Sequence, residues 1–221
     1  RTRFKLIVKR LGLDYDIQPE LDIIYNKMVT GATKDYAASR GEYLNGLVLS
    51  KALGWTFIDA ADVVFFNENG IFDAEKTNTV MGEVLAKHEH AVIPGFYGSR
   101  PDGSIKTFSR GGSDITGSIV ARAIMADLYE NWTDVSGFMV TDPKIVNNPK
   151  TIHTITYREL RELSYMGATV LHEDAIFPVS CCGIPINIRN TNKPEDPGTM
   201  IVAKIDDNAK DTIVTGIAGK K

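Results

Sequence analysis

The five residues Arg110, Gly111, Gly112, Ser113 and Asp114 combine groups that are suited to binding an anion. A guanidinium can bind a carboxylate or a phosphate through two parallel hydrogen bonds. The glycines let a ligand approach the backbone, and N–H groups at a helix N-terminus point toward an anion. Alternatively, this is an ordinary helix start, with Ser113 as the N-cap and Asp114 in the first turn, but such a start does not require Arg110. We therefore favour a ligand site at this helix start.

The segment SRGE, residues 39–42, has two interpretations. A serine followed three residues later by a glutamate is the pattern of a capping box, with Ser39 as the N-cap. Alternatively, Glu42 faces a cleft and pairs with the ammonium group of a substrate. The spacing favours the capping box, and the sequence leaves both interpretations open.

Thr133 and Asp134 end a predicted strand, before a loop that contains Gly137 and the Asp142–Pro143 turn. Ligands of open α/β sheets bind beyond the carboxyl ends of the strands, so these residues are candidates for a ligand site. An ordinary strand-to-turn junction is the simpler interpretation of the same residues.

Helical and strand-like patterns alternate along the chain, which predicts an α/β fold with a largely parallel sheet. We expect helices over Pro19–Thr30, from about Ser39 to Leu53, over Thr77–Lys87, from Ser113 toward Leu128, and within 156–168 and 171–183. Strand patterns occur at 55–60, 62–67, 91–98, 129–135, 183–190 and 198–205.

Composition excludes several classes of protein. The chain has 221 residues, of which 43% are hydrophobic and 24% charged, and its net charge is −3. No overall basic field favours nucleic acid or an anionic membrane surface, and no apolar run approaches the roughly 18 residues of a membrane-spanning helix. We therefore expect neither nucleic acid nor membrane as a partner.

Cysteine and histidine usage suggests a cytoplasmic protein without a metal site of its own. Cys181 and Cys182 are adjacent, which is a poor arrangement for an ordinary disulfide and favours a reducing compartment. His88 and His90 lack a third ligand, so we predict no metal bound by protein side chains. Neither GxxxxGK[ST] nor GxGxxG occurs, which excludes those two nucleotide-binding loops.

Six motifs together resemble the aspartate kinases of the amino-acid kinase family. They are SRGE, VIPGFYGS, TFSRGGSD, WTDVSGFMVTDP, MGATVLHEDAIFPV and INIRNTNKPEDPGTMI, and they span residues 39 to 202. The combination of RGGSD with TDVxGxxxTDP about twenty residues later is far more specific than either piece.

The resemblance implies an open, mainly parallel sheet sandwiched between helices in three layers. It also implies transfer of the γ-phosphoryl group of ATP to the side-chain carboxylate of L-aspartate, giving 4-phospho-L-aspartate. Lysine, threonine, methionine and isoleucine are made from that product. Mg²⁺ is expected to bridge the phosphate oxygens, as in other phosphoryl transfers.

The resemblance also implies roles for individual residues. Glu42 would pair with the substrate ammonium group and Arg110 with its α-carboxylate, while Asp114 would act with Arg110 at the reacting centre. The substrate-binding set is Ser39, Glu42, Arg110, Gly111, Gly112, Ser113 and Asp114. The ATP-binding set is Thr133, Asp134, Met139, Asp142, Lys144, Thr169 and Val170.

The chain departs from the family pattern in three places. The glycine-rich KFGGSS-like loop, whose lysine contacts the phosphates, does not occur in it. Met139 stands where an aromatic residue is usual, and Thr169 where a lysine is common. We therefore expect these 221 residues alone to be weakly active or inactive, and a longer parent protein to be active.

We expect a catalytic domain over 1–205, lacking its N-terminal part, followed by a linker and the start of an ACT-type regulatory domain over 206–221. Such a regulatory region implies inhibition by an end-product amino acid, and we expect a homo-oligomer. Two alternatives stay open: another amino-acid kinase, acting on glutamate, acetylglutamate or a nucleotide, or a non-catalytic module that senses ATP or an amino acid.

Overall fold

The computed structural model describes residues 2–109, 111–141, 145–165, 173–205 and 215–217. The chain divides into two compact units, Arg1–Thr116 and Gly117–Lys221. Each unit contains both helices and strands. The predicted domain boundary at residue 206 lies outside the described residues.

The described helices of the first unit are α1 (Thr2–Arg10), α2 (Gln18–Val29), α3 (Lys34–Leu53), α4 (Ala60–Val63) and α5 (Ala74–Leu85). Pro19 lies in the first turn of α2, where its fixed backbone angle suits a helix and its missing N–H is not needed. The side chain of Asp73 caps α5 by accepting a hydrogen bond from Lys76 N at 3.1 Å.

The first three helices share an apolar core. Val8 from α1, Leu21 from α2, and Leu44 and Val48 from α3 are buried against one another, together with Ile17 just before α2. Burial of such side chains stabilises the fold by roughly 1.5–3 kcal/mol each. This core holds α3 in place.

Short strands complete the first unit. β1 (Thr56–Phe57) pairs in parallel with β2 (Ala91–Val92). β3 (Tyr97–Ser99) pairs antiparallel with β4 (Ile105–Thr107), and Phe65 forms an isolated parallel bridge to Ser99. The loop between β2 and β3, residues 93–96, therefore begins at the carboxyl end of a parallel strand.

The capping-box interpretation of Ser39 is wrong. Helix α3 begins at Lys34, one and a half turns before Ser39, and its N-cap is Thr33, whose hydroxyl accepts a hydrogen bond from Tyr36 N at 3.1 Å. Ser39 and Glu42 thus lie inside the helix. Their spacing of three residues places them on one helical face instead of around a helix end.

Two other boundaries differ from the predictions. Residues 60–63 form the short helix α4, so only the later part of the predicted strand 62–67 is extended, from Val64 to Phe66. Helix α6 (Gly112–Ala123) stops well before Leu128, because the chain turns at Met125, which has a positive φ of 50°. The apolar periodicity beyond Ala123 therefore came from side chains outside the helix.

The second unit contains a four-stranded sheet of order β5-β7-β8-β6 among its described residues. The β5–β7 and β6–β8 pairs are parallel, and the β7–β8 pair is antiparallel. Ile155, Leu160, Ile186, Ile188 and Ile201 are fully buried on this sheet and its helices. The elements are β5 (Tyr129–Thr133), β6 (Thr154–Thr156), α7 (Tyr157–Tyr165), α8 (Glu173–Ser180), β7 (Ile186–Asn190) and β8 (Thr199–Val202).

The predicted α/β fold with open, mainly parallel strands is confirmed. The sequence did not predict β4 and β6, which have three residues each and so carry too little pattern to detect. In the part of the chain that the structure describes, no helix is both long and apolar enough to span a membrane.

The position of the α3 N-cap can be tested by substitution. Thr33→Ala removes the hydroxyl that accepts from Tyr36 N, and we expect it to lower the free energy of unfolding by about 1 kcal/mol. Thr79→Ala is the matched control, because the exposed Thr79 hydroxyl only donates back to Glu75 O within α5, and its effect should stay within about 0.5 kcal/mol. Urea unfolding of the three proteins measures both changes. Equal effects would contradict the assignment of Thr33 as the cap.

Candidate active site

A cavity of about 420 Å³ lies at the start of α6, within the first unit. Four residues that the sequence singled out, Gly111 to Asp114, line it together. Two aromatic side chains form its apolar wall. The described residues of its lining are Phe96, Phe108, Ser109, Gly111, Gly112, Ser113 and Asp114.

The N-cap of helix α6 lies two residues before Ser113, which is the N-cap that the sequence predicted. Gly111 has a positive φ of 55°, and its carbonyl accepts a hydrogen bond from Ile115 N at 2.9 Å. Gly111 therefore occupies the N-cap position, and the assignment of Ser113 as the N-cap is wrong. Ser113 and Asp114 lie in the first turn, where backbone N–H groups have no partner within a helix and attract anions.

The loop before β3 packs tightly against this helix start. A Cβ atom placed on Gly112 would lie only 2.5 Å from Phe96 Cβ, so no side chain fits at this position. The Thr116 hydroxyl accepts a hydrogen bond from Phe96 N at 3.0 Å and donates to Gly112 O at 2.8 Å. These contacts fix the Phe96 backbone, which has a positive φ of 62°, beside the first turn of α6.

Two further phenylalanine rings pack against the aromatic wall of the cavity. The Phe108 ring lies 4.9 Å from the Phe66 ring and 5.7 Å from the Phe72 ring, measured between centroids. Phe108 N also donates to Phe96 O at 2.9 Å. An apolar wall of this kind excludes water and strengthens electrostatic interactions inside the cavity.

Helix α3 presents Glu42 toward the same region of the first unit. Glu42 shares a helical face with Gly46, and a Cβ atom on Gly46 would lie 3.3 Å from Pro94 Cβ. Pro94 precedes Gly95, where a Cβ atom would lie 3.0 Å from Ser113 Cα. Glu42 is half-buried and makes no hydrogen bond or ion pair with a described residue. Its carboxylate is not in the cavity lining, but it is available to a cation.

Ser39 is engaged inside the protein. Its buried hydroxyl donates to Tyr36 O at 2.8 Å and accepts from Arg40 Nη2 at 3.0 Å and Arg40 Nε at 3.1 Å. The structure therefore uses this hydroxyl to orient Arg40.

Arg40 is a buried cation that the sequence did not predict. Its guanidinium carbon lies 4.5 Å from the Tyr36 ring, 4.6 Å from the Tyr43 ring and 5.3 Å from the Tyr97 ring. Desolvated cation–π contacts of this kind are worth about 2 kcal/mol. Tyr97 immediately follows Phe96, so Arg40 connects α3 to the loop that lines the cavity.

Two of the three tyrosines around Arg40 donate hydrogen bonds to carboxylates. Tyr97 Oη donates to Asp59 Oδ1 at 2.6 Å, and Tyr43 Oη donates to Glu20 Oε2 at 3.0 Å. Burial and the neighbouring carboxylate raise the pKa of each tyrosine well above its ordinary value, while Arg40 partly opposes the rise. Both tyrosines therefore stay protonated and remain hydrogen-bond donors.

In a second, larger cavity of the first unit, of about 540 Å³, the described lining contains none of the predicted site residues. Its lining includes Tyr43, Asp59, Asp62 and His88. Burial and the Asp59 carboxylate raise the pKa of Asp62. His88 follows α5 instead of lying on a helix, and the described residues contain no cluster of three or more metal-binding side chains.

The described part of the predicted nucleotide site lies in the second unit. Thr133 is the last residue of β5 and pairs with Asn190 of the parallel strand β7, so the segment leaves the sheet at its carboxyl end. The Thr133 hydroxyl donates to Asp134 Oδ1 at 3.3 Å, and Asp134 is exposed. The Met139 side chain is 40% exposed, which leaves an apolar surface open to a planar ligand.

Five predicted site residues lie outside the described residues, and their roles stay predictions. They are Arg110, Asp142, Lys144, Thr169 and Val170.

Comparisons with known proteins agree with this geometry. Residues 5–190 match the amino acid kinase family, which is most of the chain. The chain therefore belongs to the amino acid kinase family.

Several proteins that are similar to this chain are aspartate kinases. Aspartokinase 3 of Bacillus subtilis (strain 168) is 53% identical over 115 residues, which is 52% of this chain and 25% of that protein. The crystal structure of Clostridium acetobutylicum aspartate kinase, 56% identical, has a TM-score of 0.85 over 95% of this chain and 46% of that chain.

More distant similarity includes a ligand-bound enzyme. Escherichia coli aspartokinase III in complex with aspartate and ADP is 25% identical, with a TM-score of 0.77 over 93% of this chain and 52% of that chain. The same enzyme in complex with lysine and aspartate gives a TM-score of 0.75 at 25% identity, over 86% of this chain and 48% of that chain. This chain thus spans about half or less of the length of these relatives.

The tyrosine–carboxylate contact can be tested through pH. Tyr97→Phe removes a buried hydrogen bond to a carboxylate, and at neutral pH we expect a loss of about 2 kcal/mol in the free energy of unfolding. Above about pH 10 the unfolded tyrosine loses its proton while folded Tyr97 keeps it, so the wild type loses stability that the variant does not lose. The difference between the two proteins should therefore shrink as pH rises from about 8 to about 11.

Urea unfolding of both proteins at each pH measures this difference. Thr79→Ala, which alters an exposed hydroxyl that donates to Glu75 O within α5, is the control and should change the neutral-pH value by less than about 0.5 kcal/mol. A difference between wild type and Tyr97→Phe that stays constant or grows with pH would contradict the assigned contact.

Proposed function

We propose that this amino acid kinase is the catalytic part of an aspartate kinase, which transfers the γ-phosphoryl group of ATP to the side-chain carboxylate of L-aspartate. The observation that carries the proposal is the glycine-rich start of α6, whose first-turn amides line an apolar-walled cavity. Sequence identity of 56% to an aspartate kinase over 95% of the chain supports the same activity.

Recognition of L-aspartate requires a cationic group for each carboxylate and an anionic group for the ammonium. Glu42 is suited to the ammonium, since its half-buried carboxylate has no described partner. Arg110 would bind the α-carboxylate through two hydrogen bonds. The amides of Gly111 and Gly112 would donate to the carboxylate that reacts, with Ser113 and Asp114 beside it.

The nucleotide would bind beyond the carboxyl end of β5, as ligands of open α/β sheets do. Thr133 and Asp134 offer oxygen acceptors there, and Met139 offers an apolar surface for the base. Asp142, Lys144, Thr169 and Val170 complete the proposed nucleotide site on the evidence of the sequence motifs.

Both reactants are anionic, so the residues need to align them and neutralise charge. An oxygen of the aspartate side-chain carboxylate attacks the γ-phosphorus, a new P–O bond forms, and the bond to the β-phosphate oxygen breaks to release ADP. Mg²⁺, held by the phosphate oxygens of ATP, would supply positive charge to the transferred group. The residues of this chain would bind the acceptor, hold it in line and exclude water.

We also propose a wider role, which rests on the resemblance to aspartate kinases. An enzyme that makes 4-phospho-L-aspartate supplies the synthesis of lysine, threonine, methionine and isoleucine, and we place it in the cytoplasm as a homo-oligomer. Since E. coli aspartokinase III has been solved with lysine and aspartate, we propose that an end-product amino acid inhibits the full-length protein.

The activity is tested with the full-length protein and a panel of acceptors. We expect ATP consumption dependent on L-aspartate, with phosphoryl transfer confirmed by trapping the acyl phosphate with hydroxylamine. Turnover with glutamate or N-acetylglutamate in place of aspartate would assign a different acceptor. Stabilisation by ATP–Mg²⁺ and aspartate in a thermal shift experiment, with no transfer to any acceptor, would contradict the catalytic proposal and indicate a sensing module.

The role of Glu42 is tested by Glu42→Gln in the full-length protein. Loss of the charge that pairs with the ammonium group should lower kcat/KM for aspartate by about thirtyfold, equivalent to about 2 kcal/mol, while KM for ATP stays unchanged. Glu75→Gln, an exposed glutamate in the first turn of α5, is the control and should leave both constants unaltered. An unchanged kcat/KM for aspartate in Glu42→Gln would reject the assigned role.

A further inference from the structure

Two adjacent cysteines of the second unit lie against a single arginine. Arg122, on α6, places Nη1 at 2.7 Å from Cys181 Sγ and 2.6 Å from Cys182 Sγ. Both cysteines are free thiols in the turn that follows α8. Because both sulfur atoms contact one nitrogen, they lie on the same side of the turn.

Arg122 has more hydrogen-bonding capacity than this turn uses. Nη1 also approaches Pro178 O at 3.4 Å, near the end of α8, where a cation interacts favourably with the helix dipole. The Nε and Nη2 groups donate to no described residue, and no described carboxylate pairs with the guanidinium. The interaction with the end of α8 therefore uses Nη1 of Arg122. Nε and Nη2 can bind an incoming anion.

The two sulfur atoms differ in access. Cys181 is exposed, and its thiol donates to Pro178 O at 3.2 Å, whereas Cys182 is half-buried. Reagents in solution therefore reach Cys181 first. Cysteines in electropositive, accessible surroundings are the ones that undergo selective modification.

A disulfide between the two cysteines is disfavoured by the covalent geometry. Consecutive Cα atoms are about 3.8 Å apart across a trans peptide, whereas disulfides span about 4.4–6.8 Å. An adduct formed on Cys181 would therefore not be displaced readily by Cys182. The site is suited to holding a mixed disulfide.

We propose that Cys181 is a modification site for small disulfides that carry carboxylate groups, with Arg122 binding one carboxylate. The thiolate of Cys181, after its proton has passed to solvent, attacks one sulfur of the reagent. A new S–S bond forms to Cys181, the S–S bond of the reagent breaks, and the other half leaves as a thiolate that takes a proton from solvent. The cysteine is oxidised and half of the reagent is reduced.

The test uses the full-length, reduced protein with two probes of opposite charge. Oxidised glutathione is anionic and cystamine is cationic, and both react by the same exchange. Intact mass and peptide mapping under native conditions measure the rate and position of each adduct. We expect one glutathionyl group on Cys181, and the ratio of the glutathione rate to the cystamine rate should fall about tenfold in Arg122→Gln.

Three further variants make the result specific. Cys181→Ser should abolish the adduct, Cys182→Ser should retain it, and Arg122→Lys should keep part of the preference for the anionic probe because it keeps the charge. Added salt should weaken the preference in the wild type. Circular dichroism and urea unfolding check that each variant folds, and reaction in denaturant should remove the differences between arginine variants.

Several outcomes would overturn the proposal. These are an adduct found mainly on Cys182, a probe preference that is the same in wild type and Arg122→Gln, and the absence of any adduct under native conditions. Because the readout is mass and not phosphoryl transfer, it is independent of the kinase activity proposed above.

Discussion

The candidate site depends on the contact between the Phe96 loop and the first turn of α6. Thr116 joins the two by accepting from Phe96 N and donating to Gly112 O. Donors fixed in this way do not have to reorganise when negative charge arrives, which is the basis of electrostatic stabilisation in active sites. The absence of a side chain at Gly112 is what allows the two backbones to come this close. The glycine pair therefore serves the packing of the site as well as access for a ligand.

Arg40 connects the strand that follows Phe96 to helix α3. A buried guanidinium is costly to desolvate, and Arg40 is only 8% exposed. Three tyrosine rings and the Ser39 hydroxyl surround it, and two of the tyrosines donate to the carboxylates of Asp59 and Glu20. The carboxylates of Asp59 and Glu20, each bonded to a tyrosine that contacts Arg40, thus balance the positive charge of Arg40. This arrangement fixes the helix that carries Glu42 relative to the strand that follows Phe96.

The sequence predicted the structural features that depend on neighbouring residues. It did not predict the features that depend on contacts between residues far apart in the chain. The glycine-rich start of α6 was identifiable because its residue types are adjacent. The start of α3 was misplaced because Thr33 and Ser39 are both acceptable N-caps, and burial of Tyr36 against Arg40 extends the helix back to Lys34. The cluster around Arg40 joins Tyr36 and Tyr43 to Tyr97, more than fifty residues later, so no local signal could have indicated it. Strands of two or three residues are stabilised by their partners and not by their own pattern.

Some polar side chains of this protein have hydrogen-bond partners inside the fold, and others have no described partner. The first group stabilises the structure, and the second is available to a ligand. Ser39 stood in the motif as a substrate-binding candidate, yet its hydroxyl is occupied by Tyr36 O and Arg40. Glu42, three residues later on the same helix, has no described partner. The same contrast holds between two arginines, since Arg40 is enclosed by aromatic rings while two nitrogens of Arg122 donate to no described residue. A polar group that is already satisfied gains little from a ligand, whereas a half-buried group without a partner gains a hydrogen bond or an ion pair when one binds. The side chains that the fold leaves unpaired are therefore the ones through which ligand recognition is expected.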